Sequence, residues 1–337
     1  MNIFEHIFEL LFKELGEKVS LLDGEEIITL MIDKAMGLIA MSETEVIDSV
    51  NNVEKQFIER NYNRWKSGFN KLEMLRQISL EAGAKFQKQF LKYPEFESDP
   101  LLGVLLRHHA NACRITGEII VLLKNGYADG ALARWRTLFE ILITCLVIKK
   151  YGKEAAEDYI KHGVVKSVEG MEEYQKTAAE MGLEPYNKEE FKEAIKLKDF
   201  ITQGENYYQW ATKYAGASKL EKLREIVGMS KWSHNYKLAS KHVHADYSEM
   251  KSLFAMSEAK QDLLLAGSSN SGLVEPASMT AVTFNQITAT FLTAYIEKEN
   301  SPLNYNISLI YLAILDKYAE AVGLEFLACE RAITPET

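Results

Sequence analysis

The chain has 337 residues, of which 47% are hydrophobic and 26% charged, and its formal net charge is −9. This length and composition are typical of a globular protein with one large or two moderate domains. The acidic balance argues against a general polyanion binder and leaves room for a local basic patch. The three cysteines have no paired spacing, so we expect neither a disulfide framework nor a multi-cysteine zinc site.

Membrane insertion and secretion are not expected. The sequence has no stretch of about 18 uncharged apolar residues, which a membrane span requires. The N-terminal segment is amphipathic, but Glu5, Glu9 and Glu14 interrupt the apolar region that a signal peptide needs. We therefore expect a cytoplasmic protein that does not associate with a membrane.

Proline positions and capping patterns predict an all-α protein. All six prolines fall between periodic segments, and strand signals are almost absent. The spacings of Asp23 with Glu26 and of Ser42 with Glu45 match a capping box. The first box predicts a short helix, and the second predicts a long helix that runs towards Tyr93.

The densest apolar content begins near Pro94. We therefore predict an N-terminal helical module over residues 1–93 and a helical bundle domain over residues 94–337. Asp99 and Pro100 predict the start of a helix that ends near residue 125, and a second helix ends near residue 152. These two helices should form a central buried hairpin of a multi-helix bundle. Further helices are predicted over residues 153–181, 188–203, 218–227, 232–266, 276–299 and 303–328.

The second helix of the hairpin contains an unusual charged pair. Residues 131–148 are apolar on nearly every side, yet Arg136 and Glu140 lie one turn apart on the same face. An ionised group in such a helix must find a partner or carry a large desolvation cost. In one interpretation the pair fixes how neighbouring helices dock. In the other, Arg136 holds an anionic ligand while Glu140 or His244 handles a proton.

A second polar segment, YKLASKHVHADY, covers residues 236–247. On a helix, Ser240 and His244 would share a face, with Lys241 beside it, whereas His242 would point elsewhere. The two histidines would then not hold a metal together. His244 could equally be a core histidine bonded to a carboxylate such as Glu140. We predict no metal and no other cofactor.

His109 and Cys113 also share a helix face. Two ligands do not make a metal site, and the apolar residues around the pair indicate helix packing.

These motifs resemble those of a known family. The order Arg-x-Arg-x-Leu-Phe-Glu at residues 134–140, then Trp232, then Tyr236, Ser240 and His244 at four-residue spacing, resembles the prokaryotic family known as domain of unknown function 5677. The resemblance covers about residues 95–265. That family is similar to the helical nucleotide-binding domains of higher eukaryotes and prokaryotes (HEPN), many of which are metal-independent ribonucleases in toxins and phage defence.

The resemblance implies a toxin- or phage-defence-type effector that cleaves RNA without a metal. HEPN ribonucleases use an arginine, four intervening residues and a histidine at a dimer cleft, but Ala239 fills that arginine position here. If catalysis survives this departure, His244 would take the 2′-hydroxyl proton, and Arg136 or Lys241 would stabilise the phosphorane charge. The predicted catalytic residues are thus Arg136, Glu140, Ser240, Lys241 and His244. The alternative is a non-catalytic module that binds a nucleotide or another protein.

Other segments suggest partners. Arg60, Arg64 and Lys66 alternate with aromatic residues on the long N-terminal helix. This pattern predicts RNA binding, although it is also typical of a solvated helix face. Apolar helices over residues 3–15 and 307–315 could supply the symmetric interface of a homodimer. The product of a neighbouring gene is a further candidate partner.

Overall fold

The structure is a computed structural model that describes residues 23–90, 92–203, 209–216, 219–243, 253–261, 264–295 and 302–332, together with residues 5, 9, 13 and 16. These described ranges contain ten α-helices and no strand. The prediction of an all-α multi-helix bundle is confirmed. Among the described helices, none combines the length and the apolar character that crossing a membrane requires.

Helix α1 (Gly24–Phe90) begins at the first predicted capping box. Asp23 Oδ1 accepts the amides of Glu25 and Glu26 at 2.9 Å each, and Glu26 Oε2 accepts the amide of Asp23 at 3.3 Å. The predicted break at Ser42 is wrong, because α1 continues through it. The Ser42 hydroxyl donates to the carbonyl of Leu38 at 2.9 Å, which a serine in a helix interior does readily.

The chain divides into two compact units, Met1–Asn63 and Arg64–Thr337. The later part of α1 therefore belongs to the larger unit. There the buried rings of Trp65 and Phe69 pack on Phe326, with centroids 5.7 and 5.4 Å apart. The predicted division into an N-terminal helical module over residues 1–93 and a bundle domain over residues 94–337 stays a prediction.

The predicted central hairpin is present. Helices α2 (Pro100–Lys124) and α3 (Ala128–Tyr151) are joined by a short turn. Asp99 Oδ1 caps α2 by accepting the amide of Leu102 at 2.9 Å. Gly126 adopts φ = 78° in the turn, a conformation that glycine tolerates best.

The remaining helices follow the predicted order. They are α4 (Lys153–Thr177), α5 (Lys188–Thr202), α6 (Thr212–Ala215), α7 (Leu220–Ile226), α8 (Ser233–Lys241), α9 (Val274–Leu292) and α10 (Pro302–Arg331), with 3₁₀ turns at Pro94–Phe96, Ser230–Trp232 and Phe254–Met256. Helix α9 packs against the hairpin and α10. Accordingly, Trp135 of α3 is fully buried, and its indole N–H donates to Thr283 of α9 at 2.9 Å.

The helix predicted over residues 232–266 is wrong at residues 242–243, 253–261 and 264–266, which are not α-helical, since α8 ends at Lys241. The rest of that prediction after Lys241 lies outside the described residues. A tertiary contact replaces helical hydrogen bonds: the carboxylate of Asp129 on α3 accepts the amides of Phe254 and Ala255 at 2.8 and 3.1 Å. Backbone donors satisfied in this way do not need a helix. Periodicity along the sequence could not reveal a partner that lies so far away in the chain.

Candidate functional site

Arg136 and Glu140 form the ion pair that their spacing predicts. Arg136 Nη2 lies 3.0 Å from Glu140 Oε1, and the two side chains are 27% and 36% exposed. The other faces of α3 are packed, and twelve of its residues are buried. The pair therefore lies at a half-open edge of the bundle, where water or a ligand can reach it.

Helix α8 brings two polar side chains to this pair. Tyr236 and Ser240 are four residues apart and share the face that meets α3. The hydroxyl of Tyr236 donates to Glu140 Oε1 at 2.6 Å, and Arg136 Nε donates to Ser240 Oγ at 3.1 Å. The Ser240 hydroxyl in turn donates to the carbonyl of Tyr236 at 2.8 Å. Arg136 and Glu140 of α3 thus each have a hydrogen-bond partner on α8 that fixes their orientation.

The environment keeps Tyr236 protonated at neutral pH. Burial raises the pKa of its phenol to about 12, and the hydrogen bond and negative charge of Glu140 act in the same direction. The positive charge of Arg136 opposes them in part. Tyr236 therefore acts as a hydrogen-bond donor that holds the carboxylate of Glu140.

A second arginine, Arg224 of α7, reaches the same tyrosine. Its guanidinium carbon lies 5.8 Å from the centre of the Tyr236 ring, and that of Arg136 lies 5.0 Å away. Arg224 is only 5% exposed. Among the described residues it has no ion pair, and its Nε atom is buried without a hydrogen-bond partner.

Arg224 was not among the predicted site residues, although the sequence contains a pattern that indicates its burial. Leu220, Leu223 and Val227 give α7 and the residue after it an apolar face at helical spacing, and Arg224 falls within that face. An arginine at such a position is expected to be buried.

We define the guanidinium cluster as Arg136, Glu140, Arg224, Tyr236 and Ser240. The cluster contains two guanidiniums and one carboxylate, so it carries an excess of one positive charge. Aromatic rings pack behind it: Phe139 lies 5.9 Å from Tyr236 and 6.1 Å from Trp232 between centroids. Apolar surroundings strengthen the electrostatic attraction between these cations and an anion.

Lys241 and His244 were also predicted to be catalytic. His244 lies outside the described residues. Lys241 is the last residue of α8, its side chain is exposed, and no hydrogen bond or ion pair joins it to the cluster in the described part of the chain. Ala239, at the position implied for an arginine, is fully buried. His242 lies beside α3, with Nε2 3.8 Å from Asp129 Oδ1.

Arg64, predicted to bind RNA, has a structural contact. Its guanidinium bonds both carboxylate oxygens of Glu258, at 2.6 and 3.1 Å, and the carbonyl of Asn270 at 2.6 Å. The side chain is 9% exposed. Lys66 and Arg60 are exposed, the latter within the smaller unit. RNA binding by these residues stays a prediction.

His109 and Cys113 pack in the core. His109 Nε2 lies 3.8 Å from Cys113 Sγ, and the imidazole stacks on Phe291 with centroids 5.0 Å apart. Burial lowers the pKa of His109 to about 4. Within the described ranges, no three histidine, cysteine or carboxylate side chains are grouped to hold a metal ion.

Fold and site together define an all-α helical bundle with a half-open, cationic cluster between α3, α7 and α8. Residues 102–262 match the model of a family of unknown function (DUF5677). This stretch contains every residue of the guanidinium cluster. Searches of curated proteins and of solved structures returned no match. Resemblance to this family is confirmed over residues 102–262, whereas similarity to HEPN domains stays a prediction.

Proposed function

We propose that the chain binds the phosphate group of a nucleotide at the guanidinium cluster. The observation that carries this proposal is the state of Arg224, a buried cation without an anionic partner among the described residues. An unpaired buried charge is costly. A ligand that brings one negative charge would neutralise the excess positive charge of the cluster.

The guanidinium of Arg136 has N–H donors, beyond those directed to Ser240 and Glu140, that can bind such a ligand. Of the five N–H donors of a guanidinium, one is directed to Ser240 and one to Glu140. Arginine binds phosphate with two parallel hydrogen bonds, and its fixed orientation here reduces the entropy lost on binding.

Titration calorimetry with AMP and with ATP tests this proposal. Arg136→Gln and Arg224→Gln should each weaken binding about 10- to 100-fold, because a hydrogen bond to a charged group contributes about 1.5–3 kcal/mol. The matched control is Arg134→Gln. Arg134 lies on the same helix, but its Nε bonds Glu118 Oε2 at 2.5 Å on the side facing α2.

Equal affinities of the Arg134 and Arg136 variants would contradict the proposal. So would the absence of calorimetric binding in wild type. Circular dichroism of each variant verifies that a loss of binding does not reflect unfolding.

A second proposal is that the bound phosphate belongs to RNA, which the protein cleaves without a metal as a cytoplasmic toxin- or phage-defence-type effector. The hydrogen-bonded chain from Tyr236 through Glu140 to Arg136 supports it, because a proton acceptor and a cation lie side by side. Such a pair is suited to proton transfer and charge stabilisation at a phosphate.

End-labelled RNA incubated with the protein in EDTA tests this second proposal. We expect cleavage by wild type and its loss in Arg136→Gln and His244→Ala, with Arg134→Gln retaining activity. Intact RNA in the presence of wild type would reject cleavage while leaving nucleotide binding standing.

A further inference from the structure

Residues 23–63 of the smaller unit form a long helical segment whose side chains are largely exposed. From residue 23 to residue 60 every side chain of α1 is exposed or half-buried, and Asn61 is the first buried residue. Helices in proteins gain most of their stability by packing an apolar face. This segment therefore offers a surface on which a partner could pack.

The apolar residues of this segment follow a heptad repeat. Counting from residue 29 to residue 57 in alternating steps of three and four residues, every position reached is apolar except Thr29 and Glu43. The apolar positions are Ile32, Met36, Ile39, Val46, Val50, Val53 and Phe57. A pattern sustained over four heptads is the signature of a coiled-coil seam. We call these heptad positions between residues 29 and 57, including Thr29 and Glu43, the seam.

Much of the seam faces solvent. Ile32, Met36, Val50 and Val53 are 56%, 60%, 46% and 62% exposed. At 1.5 Å per residue, the 29 positions span about 42 Å, and with a helix width of about 10–12 Å the footprint is about 450 Å². This approaches the roughly 600 Å² per partner of the smaller specific interfaces. Exposed apolar patches of this size usually mark interaction sites.

We propose that the seam binds the same seam of a second copy of this chain. The charges of the segment permit it. One flank of the seam is uncharged throughout, with Ile28, Ala35, Ser42, Ser49 and Gln56. In a parallel pair these residues face the other flank of the second copy, so no like charges meet between the two flanks. A different partner helix with a basic surface would contact acidic residues on only one flank of the seam, because the other flank is uncharged.

Glu43 is the single charged residue within the seam. It lies at the centre of residues 29–57, so parallel and antiparallel pairing both bring the two Glu43 side chains close together. Like charges at an apolar seam weaken association. Replacing Glu43 with valine should therefore strengthen pairing, an effect that a solvated helix face would not show.

Sedimentation equilibrium of the full chain at micromolar concentrations tests the proposal. We expect wild type to exceed the monomer mass of 38.3 kDa in a concentration-dependent manner. The double variant Ile32→Glu, Val53→Glu should sediment as a monomer, and Glu43→Val should associate at least tenfold more tightly. Met41→Glu is the matched control, because Met41 is 86% exposed on the opposite side of the helix.

A wild-type monomer at every concentration would overturn the proposal and favour a different partner protein. Association that is equally strong in the double variant would also overturn it, in favour of another surface, such as the one predicted over residues 307–315. If the double variant loses helical content, the result for Glu43→Val decides, since a tenfold gain in pairing is expected only where the two copies of residue 43 meet in the interface. Glu45→Gln, which also removes one negative charge, measures the effect of net charge alone.

Discussion

The guanidinium of Arg224 lies 5.8 Å from the centre of the Tyr236 ring, and no carboxylate of the described residues pairs with it. The cation is thus stabilised mainly by the face of an aromatic ring, an interaction of about 1–2 kcal/mol in a desolvated setting. Such a contact does not offset the loss of hydration of a buried charge. Arg224 should therefore lower the stability of the ligand-free protein.

The first prediction follows from that cost. Arg224→Met replaces the cation with an apolar side chain of similar length, so the free energy of unfolding should rise by about 1 kcal/mol or more. Urea unfolding followed by circular dichroism measures it. Lys222→Met, at an exposed ion pair with Glu225 on the same helix, should change stability by less than about 0.5 kcal/mol. A clear loss of stability in Arg224→Met would show that the arginine has a structural role.

The second prediction concerns two glycines of the segment before α9. Gly272 has φ = 74°, and a Cβ there would lie 2.0 Å from the carbonyl oxygen of Phe254. Gly272→Ala should therefore lower the free energy of unfolding by well over about 1 kcal/mol. Gly267→Ala is the control, because nothing lies within 4 Å of its Cβ position. Similar midpoints for the two variants in urea would contradict the close approach.

The third prediction is a pH dependence of stability. Burial lowers the pKa values of His108 and His109 to about 4. Between about pH 6.5 and pH 4 the unfolded chain binds protons at these positions and the folded chain does not. Stability is therefore fully present above pH 6.5 and should fall on acidification, by up to about 1.4 kcal/mol per pH unit for each imidazole.

Urea unfolding at pH 7, 6 and 5 measures this slope. His109→Gln should reduce it, whereas replacement of the exposed His234 with alanine should leave it unchanged. A slope that is identical in wild type and His109→Gln would show that the buried imidazole does not contribute.

The fourth prediction concerns the buried carboxylate at the start of α2. The side chain of Asp99 is fully buried, accepts the Tyr295 hydroxyl at 2.8 and 2.9 Å, and lies 2.5 Å from Lys153 Nζ. Burial alone would raise the pKa of Asp99, but its hydrogen bonds, including that from the Leu102 amide, outweigh burial and lower it. Its contribution to stability is therefore present above about pH 4 and lost as the pH falls further.

Tyr295→Phe removes one of these hydrogen bonds and should lower the free energy of unfolding by about 2 kcal/mol at pH 7. Tyr305→Phe, at a tyrosine that is 41% exposed, serves as the control. Equal stability of both variants would mean that the Tyr295 hydroxyl does not support the carboxylate.

Local signals in the sequence were sufficient for the hairpin and for most helix starts. The caps at Asp23 and Asp99 depend on residues two to three positions away, so their geometry is encoded nearby. Ser42 carries the same pattern but lies within a continuing helix, where its hydroxyl donates to the carbonyl of Leu38 instead of capping a new helix. The amides of Phe254 and Ala255, within the helix predicted over residues 232–266, donate to Asp129, a distant partner that periodicity does not report.

The same distinction holds for the guanidinium cluster. Arg136 and Glu140 were identifiable because they are spaced by one helical turn, whereas Tyr236 entered only through the motif that resembles the family. Arg224 comes from a third helix and meets them only in the folded protein. The sequence shows that Arg224 lies in the apolar face of α7, but it does not show which residues of the other helices lie beside it.

The contacts of Trp135 and Glu258 have a practical consequence for work on the stretch that matches the family model. Both residues belong to the stretch that matches the family, residues 102–262. Yet the indole of Trp135 donates to Met279 and Thr283, and Glu258 binds Arg64, all of which lie outside that stretch. A fragment cut at the limits of the match would expose this tryptophan and release that carboxylate. The portion of the chain that must be expressed together is therefore longer than the portion that matches the family model.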